Sequence, residues 1–305
     1  VQVWTLPADY AYWEQSIGYP AGSIVSTGSG IAMDPDPNRG LWDNYEGSAW
    51  TIVQWQYTSG RGPDALWLNL PPFPQHAGLT LPQVATGAFD THYRAVAQQL
   101  MGYGYSQTVW RPIWEFEGGW YEWGWQSGFQ NGATYCFDFI NAFRRIASVI
   151  RSVMPQAKFA FNAADGTIMT DGNGAPGGWQ ACYPGDDDVD FVAIDTYDGL
   201  RSQTQPASAR WQQDQVPGIT ASQALALSRR KGWAVPEWAQ GNMGDNPLYV
   251  KNMHDAAASY LANGLPVMLG YWNSGDPNSG YAGYMNTDVN PLSWAEFVKD
   301  FRVTK

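Results

Sequence analysis

Positive charge is scarce in this chain. Its 305 residues carry 17 Lys and Arg against 28 Asp and Glu, a formal net charge of −11. A surface of that sign repels phosphate backbones and anionic bilayers, so neither nucleic acid nor membrane is an expected partner. No apolar run approaches the roughly 18 residues of a membrane span. The lysines are Lys158, Lys231, Lys251, Lys299 and Lys305. None stands at the C-terminal end of a strand-like run, where a Schiff-base aldolase needs one. The histidines are His76, His92 and His254. The last two fall in helical stretches, so no metal-hydrolase ligand set is present. A G-x-G-x-x-G turn after the first strand is missing, which argues against an open dinucleotide-binding sheet. A G-x-S-x-G elbow is missing too. Neither a metal nor a cofactor is expected. Cysteine is limited to Cys136 and Cys182. They form a disulfide in an exported protein or remain two buried thiols, and sequence supplies no distance to decide.

What the chain has instead is aromatic surface. Trp, Tyr and Phe make up 15% of residues, as much as all charged residues together. Low charge with abundant rings, Gly and Pro suits a secreted enzyme acting on a neutral polymer. The first residue is Val1, and a signal peptide is expected to have been cleaved or left out.

Strand-like and helix-like runs alternate along the whole length. The strand candidates are Val1–Trp4, Ser23–Thr27, Ala65–Leu70, Val109–Phe116, Lys158–Ala163, Val189–Tyr197, Trp233–Trp238 and Pro266–Trp272. Helical spacing marks Asp9–Gly18, Phe89–Met101, Phe137–Met154, Ser222–Arg230, Leu248–Ala262 and Leu292–Phe301. Ala49–Tyr57 fits either type. Alternation of this kind predicts a parallel sheet, and eight units predict closure into a single (β/α)8 TIM barrel over residues 1–305. A monomer is expected. The longest glycine-rich stretches, Gly28–Gly47 and Asp165–Gly185, read as loops over one face.

Two glutamates end strand-like runs beside glycine-containing loops. Glu115 stands in Thr108-Val-Trp-Arg-Pro-Ile-Trp-Glu-Phe-Glu-Gly-Gly-Trp120, and Glu237 in Gly232-Trp-Ala-Val-Pro-Glu-Trp-Ala-Gln-Gly241. In a β/α barrel the C-terminal strand ends form the active face. A carboxyl pair there fits glycoside hydrolysis. One carboxylic acid protonates the leaving oxygen, and a second carboxylate attacks or activates water.

The stretch Arg111-Pro-Ile-Trp-Glu-Phe-Glu-Gly-Gly-Trp120 resembles the strand-four signature of glycoside hydrolase family 26. Tyr183-Pro-Gly-Asp-Asp-Asp-Val-Asp-Phe-Val-Ala-Ile-Asp-Thr-Tyr197 is similar to that family's entry into strand six. Val235-Pro-Glu-Trp238 is similar to its strand-seven nucleophile. The resemblance runs from about Val109 to Gly241. It implies a retaining β-glycanase on a (β/α)8 barrel, with polysaccharide or oligosaccharide as substrate. Carried over, Glu115 is the acid/base, Glu237 the nucleophile, Tyr197 the hydrogen-bond partner of the nucleophile, and Trp272 the aromatic floor of the central sugar site. The chain departs from the family at Trp114, where histidine is usual, and at Glu117, where asparagine is usual. Mannan, glucan, xylan or an unusual bacterial polysaccharide therefore all stay open as substrates.

Other side chains complete the candidate set. Strand alternation places Glu117 on the face of Glu115, so it is a second acid/base candidate. Otherwise it is a loop carboxylate bound to backbone amides. Arg111 shares that face and either holds a carboxylate or forms an internal ion pair. Trp114, Trp120 and Trp238 are candidate sugar contacts. Trp120, Trp123 and Trp125 cluster in one loop, at least one of them packing it. His76 follows a strand and is a candidate substrate contact. Asp186, Asp187, Asp188 and Asp190 lack the glycine and closing glutamate of a calcium loop and read as a solvated strand entrance. The rival class is a carbohydrate-binding barrel without catalysis, which the presence of both glutamates argues against.

Overall fold

The computed structural model describes residues 2–4, 9–18, 31–35, 37–58, 66–164, 178–199, 203–273 and 283–302. The expected strand Ser23–Thr27 lies outside these residues. The chain divides into two compact units.

The first unit is Val1–Gly28, Thr58–Arg61 and Val192–Lys305. It holds β1 (Gln2–Trp4), α1 (Asp9–Ile17), β5 (Phe191–Tyr197, from Val192), α6 (Ala207–Arg210), α7 (Val216–Arg229), β6 (Gly232–Ala239), α8 (Pro247–Leu261), β7 (Val267–Trp272) and α9 (Pro291–Phe301). Its strands lie in the order β1-β7-β6-β5. β1 runs parallel to β7, with Trp4 opposite Trp272, and β7 runs parallel to β6. β5 is buried along its whole length, and so is β6. Such continuous burial is what a parallel sheet covered by helices requires. Trp13 of α1 packs edge-on against Trp294 and Phe297 of α9, which bring an aromatic layer onto Tyr271 and Trp238 of the sheet. Proline at the first turn starts α8 and α9, where its missing N–H costs nothing. The Asp245 carboxylate accepts the free amides of Leu292 and Ser293 at the start of α9.

The second unit is Ser29–Tyr57 and Gly62–Phe191. It holds α2 (Asp43–Thr58), β2 (Trp67–Leu70), α3 (Leu81–Ala85), α4 (Asp90–Gly102), β3 (Val109–Pro112), α5 (Tyr135–Arg151) and β4 (Lys158–Ala164). The order is β4-β3-β2, all parallel, with Arg111 opposite Asn69 and Trp110 opposite Phe159. α5 carries the helical stripe read from sequence: Phe139, Phe143, Ile146, Ala147 and Ile150 are buried. Its rings meet Phe116, Phe159 and Phe161. Cys136 of α5 is joined to Cys182 by a disulfide across 46 residues of sequence.

The segment Ala49–Tyr57, open between helix and strand, belongs to α2. Strand four is shorter than expected. It ends at Pro112, and turns follow through Glu117. Asp188 and Asp190 are ion-paired to Arg151 of α5, and Asp190 also accepts the Phe159 amide at the start of β4. Their charge thus clamps the entrance to β4.

Candidate active site

In the second unit the candidate residues gather around a loop stitched to β4. Beyond Pro112 the backbone turns sharply, with Ile113 at φ 54° and Glu115 at φ 50°. Left-handed backbone at a β-branched residue is costly and persists only where surroundings enforce it. Here the surroundings are hydrogen bonds. The Ile113 amide donates to Leu70 O at 3.1 Å and the Glu115 amide to Asn162 O at 3.0 Å. The Asn162 side chain accepts from Arg111 Nε at 3.0 Å and donates to Ala163 O at 2.9 Å. Glu117 Oε1 accepts the Ala164 amide. The Tyr135 hydroxyl serves Phe116 O at 2.8 Å and Trp123 O at 2.6 Å. Burial, with the Glu117 charge adding to it, drives the Tyr135 pKa well above its ordinary value, so that hydroxyl stays a donor.

This loop overturns the alternation argument. Glu115 and Glu117 do not share a strand face, because neither lies in a strand. Glu115 is 8% exposed, while Glu117 is fully buried and bonded to a backbone amide. Trp120 lies half-exposed, and its indole Nε1 donates to Glu115 Oε2 at 2.7 Å. The ring folds over Gly118, where a Cβ would stand 2.5 Å from it. Trp123 is buried, with Nε1 on Trp114 O at 3.0 Å. Trp114 packs against Tyr121 and Trp123 and is also buried. It supports the loop and offers no free face for a sugar, contrary to its reading as a sugar contact. Arg111 is fully buried and holds an amide oxygen through Nε. His76 stands in the turn after β2 with φ 64°. Its amide donates to Glu122 Oε2 at 2.9 Å, and its exposed ring lies 3.4 Å from Glu122 and 3.6 Å from Asp34.

In the first unit Glu237 is set by a break in pairing. The β6–β7 register shifts between Val235 and Trp238. Pro236 falls there, and proline has no N–H for a ladder. The Glu237 amide donates to the Asp195 carboxylate at 3.0 Å. The Tyr197 hydroxyl donates to Glu237 Oε2 at 2.9 Å. Asp195 and Tyr197 lie two apart on β5 and share a face. Trp238, the next residue of β6, is fully buried among Tyr249, Tyr271, Phe297 and Phe301. Its reading as a sugar contact is therefore corrected: it is a core residue. Trp272 ends β7 half-buried. Beyond Tyr197, Asp198 accepts Arg210 at two oxygens, both at 2.8 Å, and Asn246 at 2.7 Å, all of it buried.

Asp195 and Asn162 were not among the residues singled out from sequence. Both are polar residues inside otherwise apolar strands, and that contrast was the available signal.

A sequence model of glycosyl hydrolase family 26 matches residues 90–258. Endoglucanase H of Acetivibrio thermocellus is 32% identical over 167 residues, 53% of this chain and 17% of that protein. The matched stretch thus spans about a sixth of that relative's length. Among solved structures, the catalytic domain of Bacillus sp. JAMB-750 GH26 endo-β-1,4-mannanase superposes with a TM-score of 0.61 at 18% identity, covering 95% of this chain and 78% of that one. A GH26 β-mannanase from Bacteroides ovatus gives 0.53 at 18%, covering 83% and 71%. A GH5-4 broad specificity endoglucanase from Clostridium longisporum gives 0.57 at 14%, covering 97% and 86%. At such identities these structures speak to the fold.

Proposed function

This chain belongs to glycosyl hydrolase family 26, and from that membership we propose that it is a retaining, endo-acting glycanase built as one (β/α)8 domain over residues 1–305. It is a glycoside hydrolase. Glu237 is the nucleophile and Glu115 the acid/base. The observation that carries the reading is the Tyr197 hydroxyl on Glu237 Oε2. That bond helps to orient the carboxylate for attack on the anomeric carbon.

The proposed cycle has two displacements. Glu115 gives a proton to the glycosidic oxygen as Glu237 forms an ester with the anomeric carbon. Glu115, now ionised, takes a proton from water, which opens the ester with net retention. The Trp120 indole, bonded to Glu115 Oε2, helps to orient this carboxyl toward the leaving oxygen. The exposed face of Trp120, Trp272 and the ring of His76 are the proposed sugar contacts. Arg111 and Glu117 hold the loop and β4.

The substrate is a neutral or weakly charged β-linked polysaccharide. The net charge of −11 disfavours strongly anionic chains. Mannan and β-glucan lead the candidates, from the relatives' names. The Cys136–Cys182 disulfide supports a secreted protein, here taken as a monomer.

Glu115→Ala tests the roles. It should keep first-step turnover of aryl glycosides with good leaving groups, which need no proton. Azide should then restore the second step. If Glu117→Ala gives that pattern and Glu115→Ala does not, the acid/base is misassigned. Product sizing on a polysaccharide panel tests endo action; release of terminal sugars alone contradicts it.

A further inference from the structure

The helix that follows β5 is not regular. α6 passes into a π-helical turn, Trp211–Gln215, before α7 begins at Val216. A π-turn inserts one residue into the i→i−4 ladder, is rare, and is frequently found at functional sites. Each residue advances a helix by about 100°, so the insertion re-aims the side chain that ends it. That side chain is Gln215. It is fully buried, and its Nε2 donates to Tyr197 O at 2.9 Å. Its Oε1 is buried and finds no hydrogen-bond partner among the described residues. Leaving a buried amide oxygen unmet is expensive, and a core glutamine half-used in this way calls for a reason.

The surroundings supply one. The Tyr249 hydroxyl holds Thr196 O at 3.1 Å, and the Asp198 amide donates to Ala239 O at 3.0 Å. With Gln215 on Tyr197 O, three consecutive residues at the end of β5 are pinned through their backbone. The middle one carries the hydroxyl that meets Glu237. Tyrosine is long, so a small rotation at its peptide is magnified at the hydroxyl. A misplacement of about 1 Å at a reacting group costs about 10²-fold in rate.

We propose that Gln215 is a positioning residue for the nucleophile: it fixes the Tyr197 backbone so that the Tyr197 hydroxyl stays on Glu237. The proposal rests on Glu237 being the nucleophile. The π-turn is the device that delivers the amide to that carbonyl. Asp195 and Tyr197, both from β5, are titratable groups bonded to Glu237.

The test compares Gln215→Met, Tyr197→Phe and the double variant. Methionine keeps the side chain's length and apolar packing and removes the donor. The readouts are kcat and KM on an aryl β-glycoside, the acidic limb of kcat/KM, and Tm. Tyr197→Phe should lower kcat about tenfold or more and move the acidic limb up by about one pH unit, because an ionised carboxylate loses a donor. Gln215→Met should move both in the same direction with KM little changed. The double variant should match Tyr197→Phe alone. Should Gln215→Met fail to fold, Gln215→Ala carries the same comparison. A fall in Tm with kcat and limb unchanged overturns the proposal, as does a double variant whose loss is the product of the two single losses. If Tyr197→Phe itself leaves the limb in place, the nucleophile reading falls with it. A shift in Tyr197→Phe but none in Gln215→Met sinks the positioning role alone.

Discussion

The buried pair beyond β5 gives a stability prediction with a worked magnitude. Arg210 and Asp198 meet through two hydrogen bonds of 2.8 Å, with side chains 9% and 1% exposed. Arg210→Met keeps most of the side-chain volume and leaves the Asp198 charge buried without its cation. Asn246 remains as a donor at 2.7 Å, which softens the loss. Breaking one side of a buried pair costs about 3–5 kcal/mol, and the retained amide places this case near the lower figure. For 305 residues the unfolding entropy is about 0.6 kcal/mol/K, so a cost of 3–5 kcal/mol lowers Tm by about 5–8 °C. The assay is thermal and urea unfolding followed by circular dichroism. Asp198→Asn combined with Arg210→Met should recover most of the loss, since no buried charge is then stranded. A loss under about 1 kcal/mol for Arg210→Met, or a double variant no better than the single, would show that no buried charge is stranded there.

Three further outcomes follow from the geometry. Gly118→Ala sets a Cβ into the Trp120 ring, so activity should fall to the level of Trp120→Ala with little change in Tm, read from paired kinetics and melting curves. Reducing the Cys136–Cys182 bond, or replacing both residues by serine, frees a loop of 46 residues and should cost about 4 kcal/mol, seen as a lower guanidinium midpoint. Burial holds the pKa values of Tyr45, Tyr93, Tyr135 and Tyr271 above their usual range, and that of Tyr260 is pushed up to about 12. The stability these neutral phenols contribute is complete below pH of about 10 and is lost as pH rises through their folded-state values, because the unfolded chain sheds protons that the folded one keeps. Urea midpoints from pH 8 to 12 should therefore stay level and then drop as tyrosinate absorbance rises.

Elements whose pattern is local were legible in the sequence. α5 announced itself by its apolar stripe, and β5 and β6 by apolar runs with polar groups toward their C-terminal ends. Glu237 was legible for that reason, and the Tyr197 partnership came through family resemblance. The loop after β3 was not legible. Val109–Phe116 reads as one strand, yet Pro112 ends the pairing and left-handed Ile113 and Glu115 re-aim the chain. Tertiary bonds, among them those to Asn162 and Leu70, select that conformation. Trp238 was misread although alternation already set it opposite Glu237; the aromatic neighbours that bury it come from α8, β7 and α9. The π-turn at Trp211–Gln215 leaves no periodic trace in so short a helix. The disulfide was undecidable until Cys136 and Cys182 had positions.

As the proposed nucleophile, Glu237 forms a covalent bond to the sugar. A 2-deoxy-2-fluoro aryl β-glycoside with a good leaving group slows the second step and lets the ester accumulate for peptide mass spectrometry. One glycosyl mass should be added to the peptide containing Glu237 and lost on incubation with an acceptor sugar. Label on Glu115, Glu117 or Asp195, or steady turnover with no covalent species and an inverted first product, contradicts it.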